Sequence, residues 1–253
     1  MEKDVKYYNK NFYREQKDGS FLSAQKLLPI VFDVFHPSSV VDIGCGVGYW
    51  LKVCKEDLGV GDVQGVEGNY MTEDLFQLDK RHLQTADLRL PLKLNRRFDL
   101  AISMEVAEHI PEEASDIFIN NLVNASDIVL FSAAIVAQLG TNHINEQMPE
   151  YWAKKFLVHN YIPIDFVRPK IWNDEEIEYW YRQNSIVFLK KDRLNDFPEL
   201  KLAAEATDPN FLLRIHPEKY FAYVNETHQL SSIPGFIRNK VDKVIKWIKS
   251  HRK

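Results

Sequence analysis

Cysteine is scarce in this 253-residue chain: only Cys45 and Cys54 occur, too few for a disulfide framework. The opening Met1-Glu2-Lys3-Asp4 also lacks the apolar segment of a secretory signal, so the expectation is a reduced, cytoplasmic protein. Basic residues are not in surplus either. Lys and Arg number 32 against 36 Asp and Glu, a net charge of −4, whereas a general nucleic-acid binder needs excess positive charge to neutralise phosphates. No DNA partner is expected. Long apolar runs are missing too: the most apolar window, Ile128 to Leu139, is broken by Ser132 and Gln138 and is too short to span a bilayer. Glycine is sparse at ten residues, yet three stand on alternate positions, Gly44, Gly46 and Gly48, directly after an apolar run.

What the chain has in quantity is core-forming material, 45% hydrophobic and 12% aromatic, enough for one α/β core and a smaller appended element. Strand-like runs alternate with amphipathic stretches, the pattern of a parallel sheet covered by helices on both faces. Strands are expected at Val40–Ile43, Val63–Glu67, His82–Ala86, Phe98–Ser103, Ile128–Ala133, Ile162–Val167 and Ser185–Leu189. Helices are expected at Phe21–Phe35, with Ser20 as N-cap, and at Tyr49–Leu58, Thr72–Asp79, Glu112–Asn124 and Glu150–Asn160. The last two strands lack a long helix between them and so form an antiparallel edge. The fold class predicted is a Rossmann-like α/β three-layer sandwich: seven strands, mostly parallel, an antiparallel edge strand and a C-terminal extension. Residues 1–195 form the main domain; residues 196–253 hold an irregular connection and a tail.

A strand passing through Gly44, Gly46 and Gly48 into a helix brings bare backbone amides against a ligand at a helix N-terminus. The dinucleotide fingerprint G-x-G-x-x-G is not matched, since Gly48 comes one position early. Carboxylates close the strands instead. Asp42 ends the first, Glu67 the second, where it can accept from both hydroxyls of a ribose, and Asp87 the third, beside Leu88, which can pack on an adenine ring. Such an acidic lining repels pyrophosphate and suits a cationic sulfonium.

With these residues in place, the sequence resembles the class I S-adenosylmethionine-dependent methyltransferases. VDIGCGVGYWL is similar to their first motif, GVEGNY to the acidic motif of the second strand, and TADLRLPL and FDLAISMEVAEHIP to the next two. The resemblance covers roughly Phe21 to Lys190. It implies S-adenosyl-L-methionine as cofactor, with Asp42, Gly44, Gly46, Gly48, Glu67, Asp87, Leu88, Met104 and Glu105 around it. By the same likeness Tyr7, Tyr8, Phe12 and Tyr13 belong to an N-terminal lid.

Methyl transfer is an in-line displacement, so the acceptor decides the remaining chemistry. The motif of DNA amino-methyltransferases is replaced here by Ser103-Met104-Glu105-Val106, which argues against base amino groups. Two readings stand for Glu105-Val106-Ala107-Glu108-His109. In one it borders the cofactor pocket and His109 packs or caps. In the other Glu105, Glu108 and His109, at i, i+3 and i+4, share a helix face and with His143 hold a divalent cation such as Mg²⁺ or Mn²⁺, as in ubiquinone-pathway O-methyltransferases and small-RNA 2′-O-methyltransferases, which this arrangement resembles. His143 is the best placed general base, with His109 the other candidate. The run Gly140-Thr141-Asn142-His143-Ile144-Asn145-Glu146-Gln147, with the later Ile171-Trp172 and Trp180-Tyr181-Arg182-Gln183-Asn184, resembles bacterial methyltransferases of surface-polysaccharide clusters. Asn145, Gln147, Trp172 and Tyr181 are thereby candidates to hold a sugar; Trp152 and Phe156, four apart on a helix, are read as core.

The tail Phe236–Lys253 carries seven Lys or Arg against one Asp, so the rest of the chain is strongly acidic. Its apolar residues share one face, which suits either peripheral contact with an anionic membrane or docking on protein. The function expected is O-methylation of a sugar or capsular-polysaccharide precursor by a monomer or homodimer, with a small-molecule or glycan substrate. The alternatives are metal-dependent RNA 2′-O-methylation and a non-catalytic cofactor-binding interaction protein.

Overall fold

A computed structural model of the chain describes residues 17–71 and 73–231. Seven strands form one sheet: β1 (Ser39–Ile43), β2 (Asp62–Glu67), β3 (Leu83–Thr85), β4 (Leu100–Met104), β5 (Ile128–Ser132), β6 (Tyr161–Ile164) and β7 (Ile186–Lys190). Their order is β3-β2-β1-β4-β5-β7-β6. Pairings from β3 through β5 are parallel, while β7 runs antiparallel to both β5 and β6. The expected Rossmann-like sheet with its antiparallel edge pair is therefore present, β7 lying inside and β6 at the rim. Between β6 and β7 the chain makes only two short helices, α5 (Arg168–Ile171) and α6 (Tyr179–Asn184).

The alternation of side chains across the sheet builds two cores. Val40, Leu100 and Ile102 face one side, where α1 (Lys17–Phe35) and α2 (Tyr49–Lys52) contribute Leu27, Leu28, Trp50 and Leu51. Val41, Ala101 and Phe131 face the other, against Phe118 and Leu122 of α3 (Ser115–Ala125) and Trp152 and Phe156 of α4 (Pro149–Val158). Burial on both faces explains why β1, β4 and β5 read as strongly apolar runs. Trp152 and Phe156 are core, Phe156 stacking on Phe188 at 3.9 Å.

Some local expectations need correction. Ser20 lies inside α1, which begins at Lys17, and so does not cap it. The stretch 73–79 holds only one 3-10 turn, Glu73–Leu75. Its Gln77 N–H donates to Val47 O at 2.8 Å, outside any local helix ladder, and Asp79 then caps a second turn, accepting from the Arg81 N–H. Thr72 lies outside the described residues.

The chain divides into two units, one ending at Arg214 and one beginning at Ile215. Residues 196–214, expected with the tail, pack on the first: Leu200 is buried in its core, and the Asp165 N–H donates to Thr207 Oγ1 just after α7 (Lys201–Ala206). In the second unit the described part is α8 (Pro217–Ser231). The basic segment 236–253 and the lid residues Tyr7, Tyr8, Phe12 and Tyr13 lie outside the described residues. Among the described residues, no helix is long and apolar enough to cross a membrane.

Candidate active site

The strand order reverses between β1 and β4, the place where open α/β sheets bind ligands beyond their strand ends. A cavity of about 680 Å³ opens there. Its floor is the β1–α2 loop, where Gly44, Gly46 and Gly48 all take positive φ, a conformation that costs an L side chain about 1–2 kcal/mol. Gly44 and Gly46 line the cavity, whereas Gly48 serves packing: a Cβ there would sit 2.5 Å from the Phe76 ring. Asp42 lies behind the lining, almost wholly buried, with Oδ2 lacking any hydrogen-bond partner; burial and then the Glu67 charge raise its pKa well above normal.

Glu67 faces the cavity from the end of β2. Its Oε2 accepts the Gly46 N–H at 2.6 Å, and its Oε1 accepts the Gly68 N–H at 2.7 Å and the Tyr70 hydroxyl at 2.5 Å. Three of its roughly four acceptor directions are thus taken. Asp87 also lines the cavity, but Arg89 grips it through Nε and Nη2 at 2.8 and 2.7 Å, which holds its pKa down. Leu88 and Met104 complete the walls. Five carboxylates face the space, Glu67, Asp87, Glu105, Glu108 and Glu178, against the single guanidinium of Arg89.

At the far end the chain is strained. Of six non-glycine residues at positive φ among those described, four cluster here: Glu105, Ala137, Leu139 and Asn142. Such strain concentrates where function over-determines the backbone. Glu105 sits in the turn after β4, and its carboxylate accepts from Gln138 Nε2 at 2.8 Å and Asn184 Nδ2 at 3.1 Å. Burial pushes its pKa to about 7. Glu108 is fully buried, neither oxygen has a hydrogen-bond partner, and burial and the Glu105 charge raise its pKa strongly. Its neighbours are two imidazoles. His143 Nε2 lies 4.0 Å from Glu108 Oε1, and the His143 and His109 rings meet edge to face at 4.9 Å. Burial and His143 lower the His109 pKa to about 4.

One donor atom from each of Glu108, His109 and His143 falls within 4.8 Å of the other two. Glu105, expected as a fourth ligand, is not in this group because Gln138 and Asn184 occupy its carboxylate and its backbone forms a left-handed turn instead of a helix face. The orphaned carboxylate of Glu108 facing two imidazoles is a donor set that fits a divalent cation. Three expected substrate contacts fall elsewhere. Asn145 is buried under the loop, donating to Ile110 O and Ser115 Oγ; Gln147 donates to Asn145; Trp172 is outside the cavity lining. Tyr181 does line it, its hydroxyl 3.2 Å from Ser20 Oγ and its ring against Trp50. Trp180, within the quoted Trp180–Asn184 stretch, lines the cavity too. Sequence reasoning missed Tyr70, Arg89, Gln138, Leu139 and Tyr179, of which Tyr70, inside GVEGNY, and Arg89, inside TADLRLPL, stood in quoted cofactor motifs.

Residues 13–125 match a family model described as a methyltransferase domain, ending with α3 and so taking in β1 to β4 and the glycine loop. This part of the chain is similar to a methyltransferase domain. Solved structures similar in fold over about three quarters of the chain are methyltransferases. The sugar N-methyltransferase KedS8 from Streptoalloteichus sp ATCC 53650 is 11% identical over 72% of this chain and 92% of its own, with a TM-score of 0.57. Magnesium protoporphyrin IX methyltransferase from Synechocystis PCC 6803, solved with bound SAM, is 17% identical over 74% and 94%, TM-score 0.51. The plantazolicin methyltransferase BpumL is 12% identical over 74% and 90%, TM-score 0.51. At such identities the likeness is one of fold. No curated protein sequence matches the chain. The matched stretch supplies Gly44, Gly46 and Glu67 to the cavity lining, and the strained loop of residues 137–146 lies beyond it.

Proposed function

We propose that the chain transfers a methyl group from S-adenosylmethionine to a hydroxyl of a sugar or polysaccharide precursor. The observation that carries this is continuity: one acidic cavity runs from Gly44, Gly46 and Glu67 to Glu108, His109 and His143. When bound, S-adenosylmethionine supplies a methyl carbon already activated by its sulfonium. Carboxylates without a facing lysine favour that cation over a pyrophosphate cofactor. The protein then has to align an acceptor oxygen and remove its proton. His143 presents Nε2 to the cavity for that proton, and the rings of Tyr179, Trp180 and Tyr181 offer faces for a sugar. A divalent cation on Glu108, His109 and His143 would add Lewis acidity that lowers the pKa of a coordinated hydroxyl. Sugar acceptors are compatible with the architecture, since KedS8 acts on one.

RNA 2′-O-methylation is the second reading, favoured by the same Glu108, His109 and His143 group and opposed by the net charge of −4. The test is transfer of labelled methyl from S-adenosylmethionine to a panel of nucleotide sugars and to short RNA, each with and without chelator. Label on a sugar is expected. Label on RNA alone would replace the acceptor assignment, and failure of calorimetry to detect S-adenosylmethionine binding would remove the whole reading. Turnover that survives chelation leaves His143 as base without the cation.

A further inference from the structure

Glu146 stands outside every role assigned above, yet its carboxylate makes three contacts within the acceptor loop. Oε1 accepts the Leu139 N–H at 2.6 Å, and Oε2 accepts the Ala137 N–H at 2.8 Å. These are the amides of two residues at positive φ. Oε1 also lies 2.9 Å from His143 Nδ1. A single carboxylate therefore gathers both strained amides and the imidazole that faces Glu108. An ionised carboxylate only accepts, so the neutral tautomer of His143 that suits this contact is the one with Nδ1–H, whose lone pair is on Nε2.

The opposite side of the ring is fixed just as tightly. A Cβ on Gly140 would fall 2.3 Å from His143 Nε2 and 2.4 Å from Cε1, so the imidazole rests on bare backbone. Below it, the Ile144 and Asn145 N–H groups both donate to Glu108 O at 3.0 Å, which ties the His143 segment to the Glu108 turn. The ring thus has one neutral tautomer that suits its contacts and one orientation, with Nε2 aimed at the space shared with Glu108 and His109.

We infer that Glu146 is a positioning residue: it closes the 137–146 loop and holds His143 as the Nδ1–H tautomer, so that Nε2 can take a proton or bind a cation. The inference rests on the proposed role of His143, and both forms of that role need the same bare nitrogen. A carboxylate behind a functional imidazole usually contributes 10–100-fold in metal affinity or activity.

The test reads the tautomer directly, by long-range ¹H–¹⁵N correlation of the His143 ring in metal-free full-length protein at mildly alkaline pH. Wild type should show Nδ1–H. Glu146→Gln removes the negative charge and can offer an N–H to the ring, so it should populate Nε2–H and weaken Mn²⁺ binding by about 10–100-fold. Glu146→Asp keeps a carboxylate and should restore the Nδ1–H form. An Nε2–H tautomer in the wild type, which requires no variant to fold, would overturn the inference. So would a folded Glu146→Gln protein with unchanged tautomer and unchanged Mn²⁺ affinity. Absence of Mn²⁺ binding in the wild type counts against the cation alone, because the tautomer is read without metal.

Discussion

Beyond the ends of the neighbouring parallel strands β1 and β4, the backbone of Gly44 lies against Val106, and the effect of adding one carbon there can be worked out. Gly44 has φ +87°, and an alanine Cβ would sit 2.5 Å from both γ-methyls of Val106, about 1 Å inside ordinary contact. The positive φ costs an L residue about 1–2 kcal/mol, and overpacking adds about 1–3 kcal/mol. Gly44→Ala should therefore destabilise by roughly 2–5 kcal/mol. Val106→Ala alone, at a buried site, should cost about 1–3 kcal/mol. In the double variant both clashing methyls are gone and the nearest remaining atom is the residue-106 Cβ at 3.1 Å. The overpacking share should be recovered while the φ strain stays, a favourable coupling of about 1–3 kcal/mol. Urea unfolding of the four proteins measures it, and S-adenosylhomocysteine calorimetry should track the same order of loss and partial recovery. Costs that add to within about 0.5 kcal/mol would refute the idea that Gly44 is required by packing against Val106.

Replacing Glu105 with Gln tests the buried carboxyl of the FDLAISMEVAEHIP motif. Its pKa is raised to about 7 in the fold, so its contribution to stability is intact below the ordinary carboxyl range and is lost as pH rises through about 7. Under chelation, the Gln variant should gain on wild type from about pH 4.5 upward and level off above pH 7, by ~3 kcal/mol across the window; a flat difference would contradict this. Phe156→Ala empties the stack on Phe188 and should cost about 3–5 kcal/mol in urea unfolding while S-adenosylhomocysteine affinity stays within a few-fold, since Phe156 is remote from the cavity lining. Glu67→Ala frees the Gly46 and Gly68 amides and should weaken S-adenosylhomocysteine by more than tenfold in calorimetry.

The sheet was readable from sequence because interior parallel strands are strongly apolar, as in Ile128–Phe131 and, but for Asp42, Val40–Ile43. Residues 73–79 were misread because their amides are satisfied by a distant carbonyl, Val47 O, which no local pattern announces. In the site, residues at strand ends were found by position: Glu67 and Asp87 do face the cavity. Arg89's grip on Asp87 was not foreseen, as side-chain pairing two residues apart in a loop has no periodic signature. The acceptor loop was harder still. Asn145 and Gln147 looked like lining because they alternate with bulkier neighbours, yet the loop is left-handed at Ala137, Leu139 and Asn142, and alternation loses its meaning once the backbone leaves the extended region. Glu105 failed as a ligand for a similar reason, its left-handed turn breaking the helix spacing assumed for it.

The unpartnered Oδ2 of Asp42, close to Glu67, gives the glycine-loop end of the cavity an elastic charge. Both carboxyls hold protons more tightly than usual in the free protein because burial penalises their ionised forms. A ligand carrying permanent positive charge restores the reason to ionise, so docking such a ligand expels hydrogen ions to the buffer, whereas an uncharged thioether of the same outline expels fewer. The heat of association should then scale with the buffer's own ionisation enthalpy for the former and much less for the latter, and the spent, neutral form is the one the pocket has less cause to retain.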